Sequence, residues 1–344
     1  GWPATQASVY IHRPVSDNYS CSLKGRAWRD DVYKLMLASL AILVPLELAL
    51  CLAVNKPGLI PLSLIIFGIL VLLCAGTFIA AIFTVKLSHT LIPAISLRGT
   101  SFSFSGEIRP LLRISVPGML LSLITLGGYF PRYLAKVSRY LVRNIGYGDA
   151  KPDISGSSKT LYRDFLDGFV VPLAVWVITI GVLIAKLAPL AAPGGKYPLL
   201  VWALFPLSAT CLAIPVPFLC LYLKWLLGIR IQNTHIRLAV PFHALCLFLL
   251  GQLGLTIITF GLWWPISLVK CARFIAPRVI ISANRRDSAH LFFKAKEKQG
   301  FLFLWGQTLL CMITLGLYAP WALARTICWL AENTAIAELP DDRS

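Results

Sequence analysis

Apolar residues run through this chain in long blocks, at 35–54, 59–85, 111–130, 169–190, 199–227, 240–264 and 301–321. Each is close to or beyond the ~20 residues that a helix needs to cross a bilayer core. Between the blocks lie short stretches in which apolar and polar residues alternate: SFSFSG at 101–106, HIRLAV at 235–240 and HLFFKA at 290–295. Alternation of that kind predicts half-exposed strands. Weaker copies stand at YSCSLKG, 19–25, and PDISG, 152–156.

Three of the apolar runs end alike, as TLGGYFP, TFGLWWP and TLGLYAP. Aligned on this ending, Thr125, Thr259 and Thr314 are equivalent, as are Gly127, Gly261 and Gly316. The aromatics Tyr129, Trp263 and Tyr318 follow, then Pro131, Pro265 and Pro320. Five residues beyond each proline stands a cation, Lys136, Lys270 or Arg325. Eight beyond stand Arg139 and Arg273, with Cys328 in the last copy, and nine beyond stand Tyr140, Phe274 and Trp329. The strand-like stretches end nineteen residues before each Thr. A longer period is visible too, since Gly25 and Gly156 are 131 positions apart and Thr125 and Thr259 are 134 apart.

The repeating unit is therefore a strand, an apolar helix, a tight Gly/Pro turn and a second helix, closed by Asn-Thr or His-Thr (His89-Thr90, Asn233-Thr234, Asn333-Thr334). In the turn, Thr and Gly are expected to let helices approach closely. Tyr or Trp is expected at the headgroup level, and Pro at the first turn of the returning helix. Five units give an all-α polytopic membrane protein of about ten transmembrane or half-membrane helices in hairpins, with short cytoplasmic strand pieces between units. The expected divisions are an N-terminal cytoplasmic segment at 1–30, repeat halves at 31–148 and 149–282, and a fifth hairpin with an acidic tail at 283–344.

Composition agrees with that class: 57% of residues are hydrophobic and 14% charged, with a mean hydropathy of +0.74, against about 45–50% apolar and 25% charged in soluble domains. The net charge of +17 is read as loops under the positive-inside rule, not as a nucleic-acid surface. Turns outside the membrane would lie near 55–57, 127–131, 190–197, 261–265 and 316–320, where only Lys56 and Lys196 are basic. The other junctions carry Lys86, Arg98, Arg109, Arg230, Arg237, Arg285, Arg286, Lys294, Lys296 and Lys298. Both termini are thus expected in the cytoplasm, and no cleavable signal peptide is expected. The helix at 132–144 sits uneasily here, since Lys136, Arg139 and Arg143 would enter the membrane at ~2.5–3.5 kcal/mol each if central. It must border water or protein, or lie at the interface.

Candidate chemistry is sparse. The cations Lys136, Arg139, Lys270, Arg273 and Arg325 could line a route or pocket for an anion or lipid headgroup, or anchor helices by snorkelling. Gln252 and Gln307 share one repeat position, each after a glycine, and suit interhelical hydrogen bonding or solute contact. Glu47 is an acid within an apolar block, a carrier or an ion-pair partner. Asp164 and Asp167 are expected to start the helix at Phe169 as dipole partners. The nine cysteines fall mostly in apolar runs (Cys51, Cys74, Cys211, Cys220, Cys246, Cys311) and read as small buried hydrophobes. No Cys/His spacing suggests a metal, no cofactor is implied, and HExxH, GxSxG and Gly-rich phosphate loops are missing, so no enzyme is expected.

TLGLYAPWALARTICWLAENTAI, 314–336, together with SFSFSG and the two diverged turns, resembles the YjgN-like family of bacterial inner-membrane proteins. The resemblance spans almost the whole chain. It departs at Arg132 and Ile266, where that family usually has Trp. It implies a bacterial inner-membrane location and, the family being of unknown function, no activity. Two functions stay open: a transporter, channel or lipid-handling protein with a basic, anion-favouring cavity, or a membrane scaffold or envelope-maintenance factor whose cytoplasmic strands take a partner. Expected partners are membrane lipids, with anionic headgroups at the cytoplasmic face, and a second protein or a second copy of the chain.

Overall fold

The computed structural model describes residues 17–18, 20–21, 34, 62–97, 100–148, 150–187, 210–232, 234–283, 286–314 and 317–338. Glu47, Lys56, Lys196, Cys51 and Gly316 lie outside the described residues.

In chain order these residues form β1 (Asp17–Asn18), β2 (Ser20–Cys21), α1 (Leu62–Ala94), β3 (Ile95–Leu97), β4 (Thr100–Phe104), α2 (Ile108–Ile124), α3 (Phe130–Arg143), β5 (Ile145–Tyr147) and β6 (Asp153–Ile154). Next come α4 (Ser158–Phe165), a π-helical turn (Leu166–Val170), α5 (Val171–Leu187), α6 (Pro215–Leu226), β7 (Ile229–Ile231), β8 (Thr234–Leu238), α7 (Phe242–Ile258) and α8 (Trp264–Ile275). A 3-10 turn (Ala276–Arg278), β9 (Val279–Ala283), β10 (Arg286–Phe293), α9 (Glu297–Ile313), α10 (Ala319–Glu332) and β11 (Thr334–Glu338) complete them.

The chain is mostly helical, as the hydropathy predicts, and the strand pieces expected between units pair into sheets. With α4 and α5 continuous through the π-helical turn, the described residues do not show the full set of about ten membrane helices. One antiparallel sheet runs β1-β11-β10-β9-β8-β7-β6 and a second runs β2-β3-β4-β5. Each alternating stretch noted in the sequence contributes a strand, and a second strand follows nearly every returning helix. Side chains from one face of the strands enter the helix cores: Phe104, Ile154, Leu238 and Phe293 are all buried.

Five apolar clusters place the helices in cyclic order. Ala81, Val85, Phe104 and Leu111 join α1 to α2, with Val137 and Leu141 of α3 against them. Ala135, Val142, Leu161, Phe165, Phe218 and Trp225 join α3, α4 and α6. Cys220, Leu245 and Cys246, with Phe274 against them, join α6, α7 and α8. Val269, Leu304 and Trp329 join α8, α9 and α10. Leu91, Ala324 and Cys328 then return α10 to α1. Helices α8 and α9 approach closely, since a β-carbon on Gly300 would stand 2.2 Å from a Val269 methyl.

Among the described residues, two segments are long and apolar enough to cross a membrane, Gly68–Ala94 in α1 and Ser158–Leu183 through α4 and α5. Their side chains point mostly outward; Val175, Ile178 and Val182 are 59%, 66% and 56% exposed. Asp164 and Asp167 do not open a helix as expected. Ser157 caps α4, its Oγ accepting from the Lys159 N–H at 3.1 Å. Asp164 therefore falls within α4 and Asp167 in the π-helical turn. The helix starts earlier than hydropathy suggests because Leu161 and Phe165 bury one face of its polar first turns. Cys220 and Cys246 are buried as expected, whereas Cys211 is an exposed thiol. Cys328 is disulfide-bonded.

Candidate functional site

The repeated turn is built the same way each time. Helices α2, α7 and α9 all have 17 residues and end at Thr125, Thr259 and Thr314. Each Thr hydroxyl donates to the carbonyl four residues back, at 2.7 Å (Leu121), 2.8 Å (Leu255) and 2.7 Å (Leu310). Its oxygen accepts the backbone N–H of Tyr129, Trp263 or Tyr318, at 2.9, 3.0 and 3.0 Å. The Thr thus closes the turn: its hydroxyl joins a last-turn carbonyl, which also accepts the Thr N–H, to the backbone N–H at the start of the next helix.

The glycines act through backbone conformation. Gly127 and Gly261 have φ of 88° and 85°, and nothing lies within 4 Å of where their β-carbons would be. Their N–H groups reach Ser122 O at 2.6 Å and Thr256 O at 2.7 Å, the long bond of a Schellman motif. Pro131, Pro265 and Pro320 stand at the first positions of α3, α8 and α10, where a missing N–H is harmless.

The turn aromatic gathers the repeated polar residues. Trp263 donates its indole N–H to Gln252 Oε1 at 3.2 Å, and the Tyr318 hydroxyl donates to Gln307 Oε1 at 3.1 Å. In the first copy the corresponding position is Gly118, and the Tyr129 hydroxyl instead accepts from Lys136 Nζ at 2.9 Å. Each repeated cation lies over the ring of its own turn: Lys136 5.6 Å from the Tyr129 centroid, Lys270 4.9 Å from Trp263 and Arg325 5.9 Å from Tyr318. Such pairs contribute about 0.5–1 kcal/mol when exposed and ~2 when desolvated. Three hairpins therefore each present a cation held on an aromatic face.

The second pair of arginines works between units. Arg139 reaches the start of α4, donating Nη1 to Ser158 Oγ at 3.1 Å and Nη2 to the Gly156 carbonyl, and stacks over Trp225 at 5.8 Å. Its Nε is buried without a hydrogen bond. Arg273 pairs with Glu297 at the start of α9, at 3.6 Å. Both thus tie a returning helix to the next unit. Around them, Arg132 lies 5.3 Å over Tyr162, and Arg143 holds Asp153 through two bonds of 2.9 Å. That guanidinium draws the Asp153 carboxyl below its ordinary range. Arg132, Arg139 and Arg143 of α3 therefore face α4 and β6, whereas Lys136 stays with the ring of its own turn.

An open groove of about 430 Å³ lies between α1, α2 and α3; Thr77, Ala81, Ser115, Met119 and Tyr133 are among its lining residues, and none of the five candidate cations lines it. No cluster of three or more His, Cys, Asp or Glu suited to a metal occurs among the described residues. Sequence spacing missed Ser158, Tyr162 and Trp225 as cation partners, since each comes from a different unit. Asn333, which closes its unit in the sequence, and Asn144, which the sequence did not single out, act alike: each side-chain amide caps its helix, donating to Trp329 O at 2.8 Å and Tyr140 O at 2.7 Å.

Comparison with curated proteins and with solved structures finds no match. Comparison with protein families matches residues 42–301 to the one described as "Bacterial protein of unknown function (DUF898)". With three-quarters of its length so matched, and the repeated turns resembling the YjgN-like proteins, the chain belongs to this bacterial family.

Proposed function

We propose that the protein is a multi-pass protein of the bacterial inner membrane, with both termini and its sheets in the cytoplasm, that handles anionic lipids through its three cation–aromatic pairs. The observation that carries this reading is the recurrence of one arrangement at Lys136–Tyr129, Lys270–Trp263 and Arg325–Tyr318. An aromatic ring with a cation on its face suits the headgroup boundary, where rings anchor and Lys or Arg attracts anionic lipid by ~1 kcal/mol each. A lysine ammonium has three donors, of which Tyr129 takes one from Lys136. The internal repetition reads as duplication of a lipid-contacting hairpin.

Lipid handling is favoured over passage of a water-soluble anion because the cations are distributed around the cyclic order. It is favoured over a scaffold that recruits partners by strand addition because the sheet ends are short. β1, β2 and β6 have two residues each and β5 has three, poor templates for another strand.

The test is thermal unfolding of the protein in bilayer discs of zwitterionic lipid, with anionic phospholipid added stepwise. Wild type is expected to gain stability with anionic lipid, and the Lys136→Gln/Lys270→Gln/Arg325→Gln variant to lose that gain while folding normally in neutral lipid. An equal gain in both would reject the pairs as the lipid site.

A further inference from the structure

We propose that the α2–α3, α7–α8 and α9–α10 hairpins are half-depth wedges, their turns ending in the hydrocarbon of the sheet-side leaflet with the cation–aromatic pairs at its headgroup boundary. This deepens the membrane reading above and rests on it.

The tips provide the first observation. Leu126 and Phe260 have φ of 48° and 51°, a left-handed conformation that costs an L-residue roughly 1–2 kcal/mol and normally goes to glycine or asparagine. Their side chains are 96% and 94% exposed. In water such a residue forgoes the ~1.5–3 kcal/mol that burial would bring, on top of the backbone cost. Ile124, Ile258 and Ile313 beside them are 77%, 74% and 77% exposed. The tips carry no charge over 114–131, 244–269 and 299–324. A turn that protrudes beyond a membrane has no use for this chemistry, whereas one immersed in acyl chains does.

Height provides the second, independent observation. Leu123, in the last turn of α2, lines a small recess with Leu73 and Cys74 of α1. The α2 tip is thus level with Leu73, while α1 continues eleven residues further from the sheets, to Leu62, or about 16 Å. Nearer the sheets, Val137 packs against the cluster of Ala81, Val85, Phe104 and Leu111, which sets the level of Lys136 close to Ala81. From Ala81 to Leu62 is nineteen residues, about 28 Å and close to the ~30 Å hydrocarbon core. From Ala81 to Leu73 is eight residues, about 12 Å and short of the ~15 Å midplane. With the headgroup boundary at Lys136, α1 crosses and the hairpin does not. Because α2, α7 and α9 are equal in length and each leaves a strand after three residues, the same holds for all three. The repeated cations then fall on the sheet side, in accord with the positive-inside rule.

The experiment places an environment-sensitive fluorescent amino acid at position 126 or 260 of the otherwise unaltered chain, in vesicles whose lipids carry bromine near the glycerol, in mid-chain or at the terminal methyl. Mid-chain bromine is expected to quench most. In a cysteine-free background, Leu126→Cys and Phe260→Cys are expected to resist a membrane-impermeant thiol reagent from both faces, while Leu62→Cys reacts on the face opposite the sheets. Reaction of positions 126 and 260 on that opposite face, with quenching near the glycerol, would overturn the half-depth wedge but keep the membrane reading. Reaction of positions 62, 126 and 260 alike from the sheet side, without quenching by any bromolipid, would overturn both.

Discussion

Lys270 Nζ stands 4.9 Å from the ring centroid of Trp263, the residue whose backbone N–H closes the turn on Thr259. One aromatic residue thus connects the turn, the helix before it through Gln252, and the cation after it. The same connections recur at Tyr318, with Gln307 and Arg325. The lipid reading depends on this unit being rigid, and each part of it can be tested.

Thr259→Val keeps the shape but removes both the donor to Leu255 O and the acceptor for Trp263 N–H. Leu255 O keeps the backbone N–H of residue 259, but the Trp263 N–H is left unpaired, and a loss of about 1–3 kcal/mol is expected, read as an earlier unfolding transition in detergent. Thr259→Ser should recover most of it. Equal stability of the valine variant would mean that the hydroxyl does not hold the turn.

Arg139→Lys tests the tie between α3 and α4. An ammonium cannot serve Ser158 and the Gly156 carbonyl while also stacking flat on Trp225. The variant is expected to unfold earlier by the equivalent of about 1–3 kcal/mol. Arg325→Lys, which keeps a cation over Tyr318, should change little. If both behave alike, the division between inter-unit clasps and headgroup cations fails.

The Arg143–Asp153 pair gives a pH dependence with a definite sign. Arg143 lowers the Asp153 carboxyl pKa from its ordinary 3.8. A carboxylate depressed by folding stabilises the fold above its unfolded pKa and loses that contribution as pH falls through the folded value. Wild type should therefore lose more thermal stability than Asp153→Asn on acidification from neutrality through and below the ordinary carboxylate range. Both side chains are about half exposed, so the difference should be small and should shrink in high salt. Parallel acid profiles would show that the pair does not contribute.

Cys328 is disulfide-bonded and lies where α10 returns to α1. Disulfides are rare in a reducing cytosol, so with cytoplasmic sheets this cysteine is expected to stand reduced in cells, the bond forming only on exposure to an oxidant. Acid quenching followed by alkylation and peptide mass analysis should find it mostly alkylated. A persistent disulfide would place the sheets on the opposite face, with the cations following them.

Three of the five expected hairpins, their turn positions and the five alternating strands were legible because each is a local pattern: an apolar block, a Gly/Pro turn, or alternation longer than four residues. The partner strands were not. Ile145–Tyr147 and Ile229–Ile231 have three residues each, too few for alternation to register, and they follow helices directly. The pairing of cation with aromatic was within reach, since Lys270 and Trp263 are seven residues apart, two helical turns. The roles of Arg139 and Arg273 were not, because Gly156, Ser158, Trp225 and Glu297 come from other units. The threonine's bonds to the backbone were not legible, because composition alone does not separate a small residue that permits packing from one that also bonds the backbone.

Magnetic-resonance distance measurement between lipid phosphorus and side-chain nitrogen addresses the central claim most directly. The protein would be labelled with nitrogen-15 lysine and placed in anionic bilayers, with Lys136→Gln and Lys270→Gln variants to assign the signals. The account predicts phosphorus dephasing of the ammonium signals that are lost in those two variants, at contact range. Dephasing confined to other lysines, with none at these two positions, would contradict it.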